Sequence, residues 1–292
     1  MTRTEQEMMD LILDRAKTDD LIRAVVLNGS RANPKISKDI FQDFDIVYLV
    51  TDLVPFINDH SWIKVFGEVM ILQMPKNSAL IPEPDDGTFT YLMQFMDGNR
   101  IDLSLVPITM KDEVLKSDGQ RKLLVDKDHI YKDFPDSSDI EYIVKPPTGK
   151  QFDDCCNEFW WMCPYVAKGI WREELPYAMG MYEYTRGMLF QMVKWSIGIS
   201  TNYSISVGKQ GKYFKKYLKP KIWERLVRTY SRGEYDDLWE SLFEACAVFT
   251  ELASEVAKYF GFNYPSDEYK KVEKYLKHIK DLPKDAKSIY QN

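Results

Sequence analysis

The chain has 292 residues, 45% of them hydrophobic and 14% aromatic, which at about 150 residues per domain supplies apolar material for two buried cores. With 45 acidic against 39 basic side chains the net charge is −6, which argues against a protein that tracks a nucleic-acid backbone and suits a cationic ligand. No apolar run reaches the roughly 18 residues of a membrane span, and the charged start Thr2-Arg3-Thr4-Glu5-Gln6-Glu7 is unlike a signal peptide, so a cytoplasmic protein without membrane partners is expected.

Thr4 and Glu7 have capping-box spacing, and Met8, Met9, Ile12, Leu13 and Ala16 recur at helical intervals, so an amphipathic helix opens the chain. Ala24-Val25-Val26-Leu27 reads as a buried strand, and so does Ile46-Val47-Tyr48-Leu49-Val50. Trp62 to Phe66 is expected to be helical and Glu68 to Gln73 a strand. A hairpin follows, Phe89 to Met96 and Arg100 to Val106, around Asp97-Gly98, a dipeptide that tolerates the positive φ of a tight turn. Residues 1–135 are therefore expected to form one domain and 136–150, rich in proline, a linker. Residues 151–292 then form a helical domain, because apolar residues recur at helical intervals over 152–169, 175–199, 219–230 and 236–260. A charged last helix, Ser266 to His278, would be capped by Ser266. The fold class is thus α+β, a mixed sheet with flanking helices followed by a helical bundle.

The chemistry concentrates in the first domain. Strand 24–27 runs into Asn28-Gly29-Ser30-Arg31, a turn whose N–H groups and hydroxyl suit a triphosphate. Asp43 and Asp45 share one side of an extended strand while Phe44 and Ile46 take the other. In the second arm of the hairpin Arg100, Asp102 and Ser104 alternate with Ile101, Leu103 and Leu105, so Asp102 reaches the face of the Asp43/Asp45 pair if these strands are neighbours. Paired carboxylates hold Mg²⁺, and one or two such ions assist in-line displacement at phosphorus. Asp102 would be a third ligand or a general base for an attacking hydroxyl.

Each piece alone has an ordinary reading: Asp-x-Asp as solvated surface, Gly-Ser as a turn, Asp102 as an ion-pair partner of an arginine. Their joint order favours catalysis. Gly208-Lys209-Gln210-Gly211-Lys212 reads as a basic interhelical turn more than as a phosphate loop, and no other phosphate motif is present. Glu83, Asp85, Asp86, Glu158 and Glu183 are further acids, and Lys168, Arg172, Arg186 and Lys194 are bases that would hold phosphates. The aromatic runs Phe159-Trp160-Trp161 and Tyr177 to Tyr184 read as core before they read as a pocket for a cation. Cys155, Cys156, Cys163 and Cys246 lack zinc spacing and read as reduced core thiols. His60, His129 and His278 are scattered and suggest no nucleophile.

Gly29-Ser30 with Asp43-Phe44-Asp45 and the later Asp102 resembles the nucleotidyltransferase superfamily of the DNA polymerase beta type. Within it the chain resembles the aminoglycoside 6-adenylyltransferases, through Val26 to Asn33, Phe41 to Val47, Tyr91 to Leu103 and Asn157 to Trp161. The resemblance implies a polymerase-beta-like nucleotidyltransferase domain and transfer of AMP from ATP to a hydroxyl of streptomycin, with Mg²⁺ and release of pyrophosphate, inactivating the antibiotic. It makes Asp43, Asp45 and Asp102 the metal-binding and catalytic carboxylates and Ser30 a triphosphate contact, with Gly29 and Arg31 beside it. ATP and a cationic aminoglycoside would be the partners. Other acceptors (another aminoglycoside, a lincosamide, a protein hydroxyl) and a catalytically idle nucleotide-binding module remain open.

Overall fold

The structure is a computed structural model that describes residues 2–34, 36–81, 83–116 and 119–290. The chain divides into two compact units, Met1–Glu141 and Tyr142–Asn292, so the break falls inside the expected linker. The linker's latter part belongs to the second unit, where Ile143 bridges to Ser206.

The first unit is built on α1 (Glu5–Thr18), β1 (Ile22–Asn28), β2 (Phe44–Val50), α2 (Val54–Asn58), β3 (Val69–Gln73), β4 (Phe89–Phe95), β5 (Arg100–Pro107), α3 (Lys111–Val114) and β6 (Arg121–Asp126). The capping box of α1 is formed, with the Glu7 N–H donating to Thr4 Oγ1 at 3.2 Å and the Thr4 N–H to the Glu7 carboxylate at 2.7 Å. The strands make one mixed sheet in the order β3-β4-β5-β2-β1-β6, in which only β2 and β5 are parallel. One face carries the main core, where Met8 and Ile12 of α1 pack with Phe44, Ile46, Tyr48, Ile101 and Leu103. A smaller cluster including Val26, Val47 and Leu49 covers the other face, which is why β1 and β2 read as continuous apolar runs.

Residues 60–66, expected to be helical over Trp62 to Phe66, form a 3₁₀ stretch started by Asp59, which accepts from the Ser61 N–H. Strand β6 was not expected, because its residues after Arg121 are mostly half-exposed and show neither alternation nor an apolar run.

The second unit contains α4 (Gly149–Trp171), α5 (Leu175–Ser200), α6 (Phe214–Tyr217), α7 (Pro220–Arg228), α8 (Tyr235–Phe260) and α9 (Ser266–Asp281). Thr148 and Gln151 form a second capping box at the start of α4. The core joins α4, α5, α8 and α9, and the rings of Phe159 and Phe249 stack at 3.8 Å between centroids. Ser266 is the first helical residue of α9 and not its cap: Pro265 precedes it, its carbonyl accepting from the Tyr269 N–H. All four cysteines are buried and unbridged. Among the described residues no helix is long and apolar enough to cross a membrane.

Candidate active site

The sheet register assembles the carboxylates. β2 lies between β1 and β5, and Asp45 is opposite Asn28 on one side and Asp102 on the other. Phe44 and Ile46 are buried on the α1 face, as the alternation requires, which leaves Asp43 and Asp45 half-exposed on the opposite side. On β5 the alternation holds as well: Ile101, Leu103 and Leu105 are fully buried, whereas Arg100, Asp102 and Ser104 are not.

Gly29 is required at its place for two reasons. Its φ is +70°, and a Cβ there would come within 2.3 Å of Asp45 Oδ2, so the Asp45 carboxylate rests directly over the glycine. The N–H of Gly29 donates to the Gln120 carbonyl at 2.8 Å, so within the turn it is already engaged. The Ser30 hydroxyl accepts from Gln42 Nε2 at 3.3 Å and keeps its own proton to donate.

Arg31 is engaged inside the protein. It donates to the carbonyls of Asp43 (3.0 Å) and Gln42 (2.7 Å), lies 3.3 Å from Glu5, and covers the Phe44 ring at 3.9 Å. Its guanidinium thereby fixes the loop that presents Asp43, a different task from the expected phosphate contact.

Arg100 makes the ion pair that is the ordinary reading of Asp102, from the same strand. Its Nε and NH2 donate to the two oxygens of Asp102 at 2.7 and 2.8 Å, and Nε lies 3.8 Å from Asp43. The signal was present in the shared strand face of positions 100 and 102. Burial pushes the Asp43 carboxyl up from its ordinary range; Arg100 opposes that rise and Asp102 adds to it. The hydrogen bond to Asp102 raises Arg100 in turn.

Among the described residues no three His, Cys, Asp or Glu side chains stand close enough to enclose a metal ion by themselves. At this site the cation against Asp102 is Arg100. The donor set nevertheless fits a hard divalent ion in kind. It is all oxygen, and Asn28 Oδ1 and Gln42 Oε1 are buried without a hydrogen-bond partner among the described residues.

The other expected residues lie elsewhere. Asp86 is paired with Lys76 at 2.7 Å. In the helical unit Arg186, largely buried, pairs with Glu183 and stacks over Tyr230 at 3.7 Å, a structural arrangement. Phe159, Trp160 and Tyr182 are core, whereas Trp161 and Tyr184 are exposed. Glu158, Lys194, Gly208, Lys209 and Gln210 line a cavity.

A sheet that holds three carboxylates beside a Gly-Ser turn suits chemistry at a phosphorus atom. A family model described as streptomycin adenylyltransferase matches residues 2–279. The chain is 44% identical over 264 residues to an aminoglycoside 6-adenylyltransferase of Campylobacter jejuni, with 90% of this chain and 91% of that one covered. It is 42% identical over 267 residues to the Bacillus subtilis (strain 168) enzyme of the same name, covering 90% and 93%. A Staphylococcus aureus enzyme of that name is 34% identical over 278 residues, covering 94% and 98%. The crystal structure of an aminoglycoside 6-adenyltransferase from Bacillus subtilis aligns with 96% of this chain and 100% of its own, at 37% identity and a TM-score of 0.47. The family model's match runs through the residues of both the sheet unit and the helical unit, and the chain belongs to the streptomycin adenylyltransferase family, a family of nucleotidyltransferase enzymes.

Proposed function

We propose that the protein transfers AMP from ATP to a hydroxyl of streptomycin, releasing pyrophosphate and inactivating the drug. The observation that carries the reading is the register that sets Asp45 opposite Asp102, with Asp43 two residues before Asp45 on β2's solvent side and Gly29-Ser30 against it. Relatives named as aminoglycoside 6-adenylyltransferases support the drug class.

In this mechanism the drug hydroxyl attacks the α-phosphorus of ATP; a new O–P bond forms as the bond to the β-phosphate oxygen breaks and pyrophosphate departs. Asp43 and Asp45 would hold Mg²⁺, with Asp102 as the third carboxylate of the site, and such an ion would supply neutralisation of phosphate charge during the displacement. Ser30 donates its hydroxyl proton to a phosphate oxygen. Arg31 keeps the Asp43 loop in place, and Arg100 keeps Asp102 aimed. The hydroxyl's proton leaves toward the carboxylate cluster.

The test is pyrophosphate release from ATP and Mg²⁺ with streptomycin, against kanamycin, spectinomycin and lincomycin, with the product weighed by mass spectrometry. A streptomycin-dependent signal and a product heavier by one AMP unit are expected. Signal with another acceptor alone removes the streptomycin assignment, and silence with all four removes drug adenylylation.

A further inference from the structure

Two dipeptides clasp each other beside the carboxylates, Ser30-Arg31 in the turn after β1 and Gln42-Asp43 at the entrance to β2. In one direction Arg31 donates to the backbone, from NH2 to the Gln42 carbonyl at 2.7 Å and from Nε to the Asp43 carbonyl at 3.0 Å. In the other direction a side chain returns the contact, with Gln42 Nε2 donating to Ser30 Oγ at 3.3 Å.

The return bond decides what the serine can do. A hydroxyl has one proton and two lone pairs, so it meets a ligand either as donor or as acceptor. With a lone pair taken by the Gln42 amide, and no acceptor for its proton among the described residues, Ser30 is set to meet a ligand as a donor. Phosphate oxygens accept hydrogen bonds and carry negative charge, so only the donor orientation holds them. An amide suits this task better than an acid of the same length. A carboxylate would accept the serine's proton and place a negative charge beside the phosphates, whereas the amide donates and stays neutral.

A plain structural role accounts for the contact less well. Arg31 already ties the two segments with two charge-assisted bonds, so the amide is redundant as a fastening. A side chain placed for its own satisfaction would also pair both of its ends. Gln42 is half-buried, and its Oε1 is buried without a partner among the described residues, so the bond to Ser30 is the one its side chain makes.

We propose that Gln42 is a positioning residue for adenylyl transfer, its amide setting the Ser30 hydroxyl as a proton donor toward the triphosphate of ATP. The proposal rests on the adenylyl-transfer reading, and Gln42 acts on the nucleotide through Ser30 alone.

A double-mutant cycle on the full chain tests it, with Gln42→Met, which keeps the length and removes the donor, and Ser30→Ala. The readouts are calorimetric affinity for α,β-methylene ATP with Mg²⁺, and kcat and KM for ATP and for streptomycin, with circular dichroism as the folding check. Ser30→Ala is expected to weaken analogue binding about tenfold and Gln42→Met about fivefold, with the KM for streptomycin unchanged. The double variant is expected to be no weaker than Ser30→Ala, whereas independent actions would multiply to about fiftyfold. If Gln42→Met fails to fold, Gln42→Asn, which sets the amide back by one methylene, carries the same cycle. Multiplied losses overturn the proposal, as does a wild-type affinity in either folded single variant, or a streptomycin KM that rises along with that for ATP. Multiplied losses in a chain that adenylylates streptomycin overturn this inference and leave the proposed function standing. Non-multiplying losses in a chain that transfers AMP to no acceptor overturn the proposed function and leave Gln42 in its role, and a wild-type chain that binds no analogue overturns both.

Discussion

Residues 1–141 carry 26 acidic and 16 basic side chains, whereas residues 142–292 carry 19 and 23, so an acidic sheet unit and a mildly basic helical unit make up the net −6. The sheet unit spends part of its acid excess on one spot, where strand register sets Asp45 opposite Asp102 and Arg100 lies against both Asp102 and Asp43. The helical unit gathers Lys145, Lys194 and Lys209 at one cavity by packing three separate stretches of chain. The difference separates two ways of building a charged site. Neighbours on and across strands give fixed spacing and crowd like charges, which then require a cation. Long side chains from distant segments give a softer site, with no spacing fixed by the backbone.

If the sheet cluster is the chemical centre, its charges must matter more than any others in the molecule. Asp45→Asn keeps shape and removes one charge, and turnover is expected to fall about 10³-fold, equivalent to about 4 kcal/mol in the barrier, with the fold retained by circular dichroism. A folded variant with near-normal turnover breaks the comparison at its root. Next in size is Gly29→Ala, which places a methyl where Asp45 Oδ2 now lies and imposes positive φ on a side chain. A displaced carboxylate is expected to cost about 10² in kcat; a crystal structure showing Asp45 unmoved, together with wild-type kcat, would remove the close-approach argument. Arg100→Met sharpens the distinction between holding and reacting. Turnover is expected to drop about tenfold, with Arg100→Lys restoring part of it, since one donor recovers some of the aim of Asp102. Equal loss in the Met and Lys variants would show that the cation's charge is not what matters.

Sequence spacing made the sheet site legible because a strand repeats every two residues, so Asp43/Asp45 and Arg100/Asp102 announce their faces before any tertiary information is used. The hairpin was equally local: Asp97-Gly98 alone fixes it, and Gly98 adopts φ +89°. What stayed hidden depends on contacts between distant positions. Nothing near Arg31 announces that its guanidinium is absorbed by the carbonyls of Gln42 and Asp43, and nothing near Gly29 shows that its N–H belongs to Gln120. Strand β6 is an edge strand whose pairing with β1 is invisible from its own half-exposed residues. The pocket of the helical unit was hardest, because Lys145, Lys194 and Lys209 share no period, and a lysine on a helix is by default a solvated one.

The smallest predicted effect marks where the sheet unit's charges stop being chemical. Asp97, at the hairpin turn, accepts from Arg3 Nε at 2.6 Å, from the Asn99 N–H at 3.1 Å and from Asn99 Nδ2 at 3.0 Å, so it fastens the N-terminal segment to the turn. The hydrogen bond from Arg3 holds its carboxyl well below the usual carboxylate range. A depressed folded-state pKa contributes stability that is present above the unfolded value near 4 and is lost as pH falls toward the folded value. Asp97→Ala is therefore expected to cost about 2 kcal/mol in urea unfolding at pH 7, with the difference from wild type shrinking below about pH 4 and turnover little changed. A penalty that stays constant through acid pH would mean that the lost packing, and not the charge, is responsible. A large loss of turnover would mean that the acidic character of this unit serves the chemistry well beyond its three central carboxylates.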